Sequence, residues 1–463
     1  MGQHYHFIGI GGIGMGAIAH LMIAQGHQVS GSDVKENDMT TKLRGEGVKI
    51  YIGHQEHNIA GADFVVFSSA ISEDNPEMKA AKTQHKNILQ RAQLLAELMK
   101  GQIGITIAGA HGKTTTTSMV SSLLMKAGLN PTAAIGGILN GSTWQASMGQ
   151  GKYFVAEVDE SDGSFLYFHP KYSIVTNIDF EHVDYYHNWE NILKAYKQFI
   201  QQSQPDGTVI LCGDDLRLRQ VASEANRNCL TYGLTTQNEI FARAINLEGY
   251  TSHFNCIYQG KDLGRFKLIV PGSHNVTNAL ACIGLGLELS IELNVVRDAL
   301  KEFRGVRRRF QVKGHLNDII VVDDYGHHPT EIRATLETAK SLKRPRLITV
   351  FQPHRYTRTK YLLEDFVKNL TLSDYLIITD IYSASEKPIE GVSAENLYQR
   401  IKDLKSPPVV YLKKEEIIPH LLDMVRPGDL VLTLGAGDIT NISDELVKKL
   451  TQSYQPTQTR SIK

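Results

Sequence analysis

An apolar run, "IGITIAG", leads directly into "AHGKTTTT", so Gly109, Gly112, Lys113 and four threonines stand between a strand and the start of a helical segment. No other feature restricts the fold so tightly. Closely spaced glycines let backbone N–H groups converge on an anion, a lysine adds a mobile cation, and the hydroxyl behind it can join a Mg²⁺ shell. Such a loop belongs at the carboxyl edge of a parallel sheet, which commits the surrounding chain to an α/β architecture. The general pattern G-x-x-x-x-G-K-[ST] needs glycine at position 107, where Ile107 stands, so the match is the shorter Gly109-x-x-Gly112-Lys113-Thr114. Gly109, Ala110, His111, Gly112, Lys113, Thr114 and Thr115 are the candidate triphosphate-binding residues.

A second glycine loop precedes it. "FIGIGGIGMG" matches G-x-G-x-x-G through Gly9, Gly11 and Gly14, after an apolar strand and before a helix, and "GSD" sets Asp33 where a ribose-binding acid would stand. Gly11, Gly12, Ile13 and Gly14 would bring the backbone against a diphosphate at the helix start. The loop grips the diphosphate and not the base, so NAD and other nucleotide diphosphates fit alike. The bland alternative is a tight strand-to-helix turn.

At 463 residues the chain has room for about three domains of roughly 150 residues each. The alternation of short apolar strands with helical segments predicts a three-domain α/β chain. Residues 1–96 read as Rossmann-like, and 97–309 as a P-loop ATPase-like parallel sheet with antiparallel strands added around "FARAINLEGYTSHFNCIYQG". Residues 310–463 read as Rossmann-like again, with strands at "DIIVVDD", "RLITVFQ", "DYLIITD" and "DLVLTLG". Lys+Arg and Asp+Glu both total 49, so no global basic field attracts nucleic acid or an anionic membrane. Cys212, Cys229, Cys256 and Cys282 show no paired spacing, which points to buried thiols in a reducing compartment. No targeting segment and no apolar run of about 18 residues is visible. The longest, "NALACIGLGLELSI", reads as a buried helix, and the expected location is the cytoplasm, without membrane insertion. The polar tail "TQSYQPTQTRSIK" reads as frayed.

A threonine hydroxyl alone holds Mg²⁺ poorly, so hard ligands are expected at strand ends on the same sheet edge. "FVAEVDESD" offers Glu157 and Asp159 there, and "IVTNIDFEHVD" offers Asn177, Glu181 and His182. Singly, each is more simply a surface or core residue.

"GIGGIGMG" with "GSD" and "SSAI" is followed by "AGAHGKTTTT", "AEVDESDGSF", "TNIDFEHVD", "PGSHNVTNALA", "GVRRRF", "DDYGHHPTEI" and "FQPHRYTRT". In that order these motifs make the chain resemble the Mur ligase family over essentially its whole length. The resemblance implies that the N-terminal loop, with Asp33 and Ser69, holds the UDP of a sugar nucleotide while the central loop holds ATP. It also makes G-[TA]-H-G-K-T the family's own form of the phosphate loop. Lys113 and His182 are implied as catalytic groups, and Thr114, Glu157 and His182 as metal ligands. His274, Asn275 and Asn278 are implied on the adenine side of ATP, and Arg309 and Asp324 as further ATP contacts. Without the resemblance, the arginine run reads as a solvated basic face. His327, His328, Arg355 and Arg358 are expected at the amino-acid substrate, where an arginine could pair with the α-carboxylate, although Arg355 and Arg358 could equally hold the substrate's phosphates or be surface charge. Lys197 is a conceivable counterpart of a carbamylated lysine supporting a second metal; the bland alternative is an exposed helix lysine.

The implied reaction is ATP-dependent joining of L-alanine to the lactyl carboxylate of UDP-N-acetylmuramate through an acyl phosphate, releasing ADP and phosphate, in peptidoglycan precursor synthesis. Mg²⁺, expected as two ions, and ATP as co-substrate follow, with a monomeric or homodimeric chain. The alanine amine must lose a proton before it attacks, and His182 (if not metal-bound) and His327 are the candidate bases. An NAD-dependent oxidoreductase fused to a regulatory ATPase accounts only for the first loop. A P-loop binding or motor module leaves "HHP" and "HRYTR" unused. A related ligase that adds a tripeptide to the same sugar shares the ATP and sugar motifs, but "DDYGHHPTEI" and "FQPHRYTRT" look like the alanine-adding type.

Overall fold

The computed structural model describes residues 2–137, 144 and 146–454. The tail expected to fray lies, from residue 455 onward, outside them. Three α/β domains are built on three sheets of five, ten and six strands. The chain divides into two compact units. One comprises Met1–Ile245, His253–Ile269 and Asn275–Arg304, the other Asn246–Ser252, Val270–His274 and Gly305–Lys463.

The five-stranded sheet runs, in spatial order, Lys49–Ile52, Gln28–Asp33, His4–Ile8, Phe64–Phe67 and Asn87–Gln90, all parallel. Strand order reverses at His4–Ile8, and a crevice opens at the carboxyl ends of strands where that happens. The first glycine loop leaves this strand and enters the helix Ile13–Ala24. Beneath the loop lies a buried polar knot. Glu77 accepts from Ser32 Oγ (2.5 Å), Asn58 Nδ2 (2.5 Å) and Gln55 N (3.2 Å), with His6 Nε2 at 3.4 Å. Burial pushes its carboxyl up, but His6, Ser32 and Asn58 outweigh this and hold it below the ordinary value.

In the ten-stranded sheet, Ile103–Ala108 lies between Tyr172–Val175 and Tyr153–Glu157, both parallel to it. Thr208–Cys212 and Cys229–Gly233 extend the parallel part. Beyond them come Ile240–Glu248, Thr251–Tyr258 and Lys261–Leu268. Two-residue connections join these three, which only antiparallel neighbours permit, so the expected antiparallel addition is present. The apolar stretch after Pro271 is the buried helix Ser273–Glu288, and among the described residues no helix is long and apolar enough to cross a membrane.

The six-stranded sheet is ordered Gln311–Leu316, Ile319–Asp324, Asp429–Leu434, Arg346–Phe351, Tyr375–Ile378, Val409–Tyr411; only the first strand is antiparallel to its neighbour. The run "IIVV" is buried on both faces: Ile320 and Val322 enter one core, Ile319 and Val321 the other. That is why it reads as continuous and not alternating hydrophobicity. All four expected strands are present. The cysteines are free, as expected: Cys212, Cys256 and Cys282 are buried, while Cys229 is half-buried.

Candidate active site

The first loop is shaped by its neighbours' oxygens. Gly9 N and Ile10 N donate to Ser32 O (2.8 and 3.0 Å), and Gly11 N donates to Asp33 Oδ2 (2.9 Å). A Cβ at Gly11 would lie 2.8 Å from that oxygen and 2.5 Å from Asn37 Nδ2, so only glycine fits. Asp33, expected at a ribose, thus also braces the loop. Gly12 is the N-cap of the following helix and no side chain caps it, which leaves the first-turn N–H groups to face an anion. Ile13 and Ser69 are exposed, Ser69 just beyond the strand Phe64–Phe67.

The second loop is fastened to the end of Tyr172–Val175. Ala110 N donates to Asn177 O (3.2 Å), His111 N to Asn177 Oδ1 (2.9 Å), and Thr176 Oγ1 to His111 O (2.6 Å). Gly109 has φ +128°, and a Cβ there would sit 2.1 Å from Thr176 Oγ1. Gly112 has φ +80°, and its Cβ would meet Asn278 Oδ1 at 2.7 Å, which sets Asn278 and its partner Asn275 against the loop.

Lys113 turns back on its own loop, donating to Gly109 O (2.6 Å), Ala110 O (3.2 Å) and Glu160 Oε1 (2.8 Å). Burial opposes the ammonium's charge, but Glu160, Asp159 and Glu157 more than offset it and hold the group above lysine's ordinary range. Thr114 Oγ1 donates to Glu157 Oε1 (3.0 Å), and Glu157 Oε2 accepts from Gly136 N (2.8 Å). Thr115 is buried in the first turn.

Glu160 is the residue that sequence reasoning passed over. Its Oε1 lies 3.7 Å from His182 Nε2, Glu181 Oε2 lies 3.8 Å from the same nitrogen, and the three groups sit close enough to share one cation. The Oε2 of Glu160 is buried without a hydrogen-bond partner among the described residues. A buried, unsatisfied carboxylate oxygen beside a second carboxylate and an imidazole is a fitting donor set for Mg²⁺. His182 adopts φ +55°; burial disfavours its charged form, but Glu160 and Glu181 raise its proton affinity above that of free imidazole. Lys197 is not in this group: on the helix Trp189–Gln202 it pairs with Glu224 at 2.9 Å, matching the bland alternative.

In the second unit, the carboxyl edge of the six-stranded sheet gathers the other expected residues. Asp324 is turned inward, accepting from Phe310 N and Gly326 N (both 2.7 Å) and Thr335 Oγ1 (3.1 Å); burial pushes it up to about 6. Arg309 approaches Glu331 (3.4 Å) and lies over the Tyr325 ring. Burial first, and Arg309 second, push His274 down to about 4. Arg308 donates to Asp323 and to Gly435 O, so the arginine run is not the solvated face that its composition suggests; only Arg307 is exposed in that way.

His328 is the N-cap of the helix Pro329–Ser341, as "HHP" predicts, and His327 Nδ1 lies 3.1 Å from Tyr325 O. The His327 ring is 5.5 Å from that of His354, which stacks on Tyr382. Arg358 Nη1 donates to His354 Nδ1 (3.1 Å), and burial with His327, Arg358 and Arg355 pushes His354 down to about 3, so it is neutral. Arg355 has φ +67° and its Nε is buried without a partner among the described residues. Two guanidiniums around a neutral imidazole suit a carboxylate. Sequence reasoning also passed over "LGAGD", where Gly435 (φ +148°) opens a third strand–glycine–helix turn and Gly437 packs against Tyr382.

A cavity of about 440 Å³, lined by His4, His27, Lys49 and Tyr51 among others, opens at the amino edge of the five-stranded sheet, away from the first loop.

With two strand–glycine–helix loops on parallel strands and a lysine–carboxylate–histidine cluster at the second, the chain is an ATP-dependent ligase, and it belongs to the Mur ligase family. The descriptions "Mur ligase family, catalytic domain", "Mur ligase middle domain" and "Mur ligase, glutamate ligase domain" match residues 4–103, 107–286 and 308–437. UDP-N-acetylmuramate–L-alanine ligase of Geotalea uraniireducens is 48% identical over 449 residues, 97% of this chain and 98% of that one. The enzyme of the same name in Geobacter sulfurreducens is 47% identical over 456 residues, 98% and 99% of the two chains. The crystal structure of UDP-N-acetylmuramate-alanine ligase from Thermotoga maritima superimposes with TM-score 0.83 at 31% identity, over 97% of this chain and 99% of that one. A murein peptide ligase from Psychrobacter arcticus gives 0.71 at 25% identity, over 97% and 99%.

Proposed function

We infer that this chain joins L-alanine to the lactyl carboxylate of UDP-N-acetylmuramate at the cost of ATP, as a UDP-N-acetylmuramate–L-alanine ligase of peptidoglycan precursor synthesis. The observation that carries the reading is the Lys113–Glu160–His182 cluster on the second loop in a chain 48% identical, along nearly its full length, to an enzyme of that name.

A carboxylate does not form an amide in water because oxide is a poor leaving group. The lactyl carboxylate oxygen therefore attacks the γ-phosphorus of ATP in line, the bond to the β,γ-bridging oxygen breaks, and ADP departs with its electron pair. Lys113 stabilises the charge that develops on the transferred group. The alanine amine, having lost one proton, attacks the acyl carbon; the nitrogen gives up a second proton to solvent, the bond to the phosphate oxygen breaks and orthophosphate leaves. Mg²⁺ bound by Glu160, Glu181 and His182, with Thr114 and Glu157 close by, would neutralise charge on the phosphates. Arg355 and Arg358 are assigned to the alanine carboxylate, with His327 and His328 beside them, and the first loop with Asp33 and Ser69 to UDP. Asn275 and Asn278, packed against Gly112, suit the nucleotide side of the second loop. Domain limits at residues 96 and 309, a cytoplasmic location and a monomeric or homodimeric state belong to the same reading.

Phosphate release measured with UDP-N-acetylmuramate, ATP and each of the twenty amino acids tests it. Turnover with L-alanine is expected. A higher kcat/KM for L-alanyl-γ-D-glutamyl-diaminopimelate in competition would move the chain to the tripeptide-adding branch and leave the acyl-phosphate chemistry in place. Saturable NAD binding that no uridine nucleotide displaces would overturn the assignment of the first loop.

A further inference from the structure

Arg91 was not among the residues that the motifs single out, yet it occupies a telling position. It is the first residue of the helix Arg91–Met99, directly after the edge strand Asn87–Gln90. Its side chain reaches across to the helix Ile13–Ala24 and lies flat on Gly14. A Cβ on Gly14 would stand 2.5 Å from Nη1, 3.3 Å from Cδ and 3.4 Å from Cζ. Gly14 has an ordinary backbone conformation, so its missing side chain serves to seat the guanidinium.

The surroundings of this guanidinium are electrostatically lopsided. It sits against the amino-terminal turn of a helix, where the backbone already presents partial positive charge, and no side chain caps that turn. The nearest carboxylate, Asp159, is 3.7 Å from Nη2, beyond hydrogen-bond length, and it also faces the charge of Lys113. Three-quarters buried, Arg91 donates no hydrogen bond among the described residues, although a guanidinium carries five N–H groups. Two cationic features meet there, the guanidinium and the uncapped helix start, and that pairing suits a doubly charged, multi-oxygen anion.

We propose that Arg91 is a binding residue for the diphosphate of the sugar nucleotide, clamping it against the first turn of the helix Ile13–Ala24. This rests on the assignment of the first loop to UDP made above. Arg91 acts in substrate binding and does not take part in phosphoryl transfer.

Calorimetric titration of wild type, Arg91→Gln and Arg91→Lys with UDP, UDP-N-acetylmuramate and a non-hydrolysable ATP analogue tests it. Arg91→Gln is expected to weaken UDP and UDP-N-acetylmuramate alike by about tenfold or more, the usual worth of a charge-assisted pair. Arg91→Lys should recover part of this, and affinity for the ATP analogue should stay within about twofold, which also reports an intact fold. In turnover, KM for the sugar nucleotide should rise with kcat largely kept. UDP affinity unchanged in Arg91→Gln overturns the proposal, as does a loss confined to UDP-N-acetylmuramate, which would assign Arg91 to the lactyl carboxylate. A wild type that turns over yet binds no UDP also overturns it. A wild type with neither ligase turnover nor UDP binding overturns the functional reading beneath it.

Discussion

The two glycine loops enter their helices differently, Gly12 in extended backbone (φ −67°) and Gly112 in the left-handed region (φ +80°), and they hold their positive charge in different ways. At the first, Ser32 O accepts from two loop amides, Asp33 from a third, and Asn37 Nδ2 donates to Gly11 O. The positive side chain there, Arg91, makes no hydrogen bond to the loop among the described residues, and no side chain caps the helix start. At the second, the cation is folded into the loop's own network, bound to two carbonyls and to Glu160. The first loop is therefore a preformed mould, whereas the second works by exchanging partners. Affinity at the first should depend on the shape of the loop and on the Arg91 charge beside it, and turnover at the second on the Lys113 charge.

The sharpest way to break this contrast is Lys113→Ala. It removes the loop's mobile cation and should slow turnover on the order of a thousandfold or more, with UDP binding retained. Near-normal turnover in a folded variant would mean that "GAHGKTT" is not the site of phosphoryl transfer. Next in size is Glu160→Gln, which keeps shape and removes charge. A rate loss of roughly a hundredfold is expected, several kcal/mol being the usual worth of a catalytic cation's environment, together with a higher Mg²⁺ requirement. A Mg²⁺ titration of initial rate identical to wild type would remove Glu160 from the metal site.

Gly11→Ala addresses the mould. The added methyl presses on Asp33 and Asn37 and should cost about 1–3 kcal/mol of overpacking, read as roughly tenfold weaker UDP binding with ATP affinity kept. Equal weakening of both nucleotides would erase the distinction between the loops. The smallest effect concerns pH. Glu77 accepts from Ser32, whose carbonyl carries the first loop, and its folded-state proton affinity lies below the ordinary 4.5. Its contribution to stability is thus complete above pH 4.5 and is lost as pH falls below that value, with a slope of at most roughly 1.4 kcal/mol per pH unit. Urea denaturation from pH 7 down to 3 should show that slope in wild type and a shallower one in Glu77→Gln.

What was legible in the chain was whatever lies close together along it. Gly109 to Thr115 form one local strand–turn–helix, and the six-stranded sheet's doubly buried strands announce themselves as unbroken apolar runs. His328 ahead of Pro329 is a helix start that local chemistry dictates. Glu160 was hidden because strand-end logic starts from Glu157, the last residue of Tyr153–Glu157, whereas Glu160 lies three residues beyond it, where the backbone has already left the sheet. Arg91 was hidden because its meaning depends on Gly14, a contact across the sheet that no spacing encodes. Asp324, implied as an ATP contact, accepts from two amides and a threonine, partners that its place in "VDDYGHHP" does not reveal. Lys197 had the right helix, yet that helix turns it toward Glu224.

The self-satisfied Lys113 carries one more consequence, for selectivity among the anions that crowd a cell. An anion can take this ammonium only by drawing it from two carbonyls and a buried carboxylate, and Glu160 would then lose its lysine partner. Orthophosphate brings nothing to Glu160 in return. A triphosphate that arrives with its own divalent cation does, because the cation can take over the carboxylate that the lysine gives up. On the proposed function, the lysine would act as a lock on the loop as much as a clamp, one that opens for metal-bearing nucleotides in preference to the free phosphate that the reaction releases.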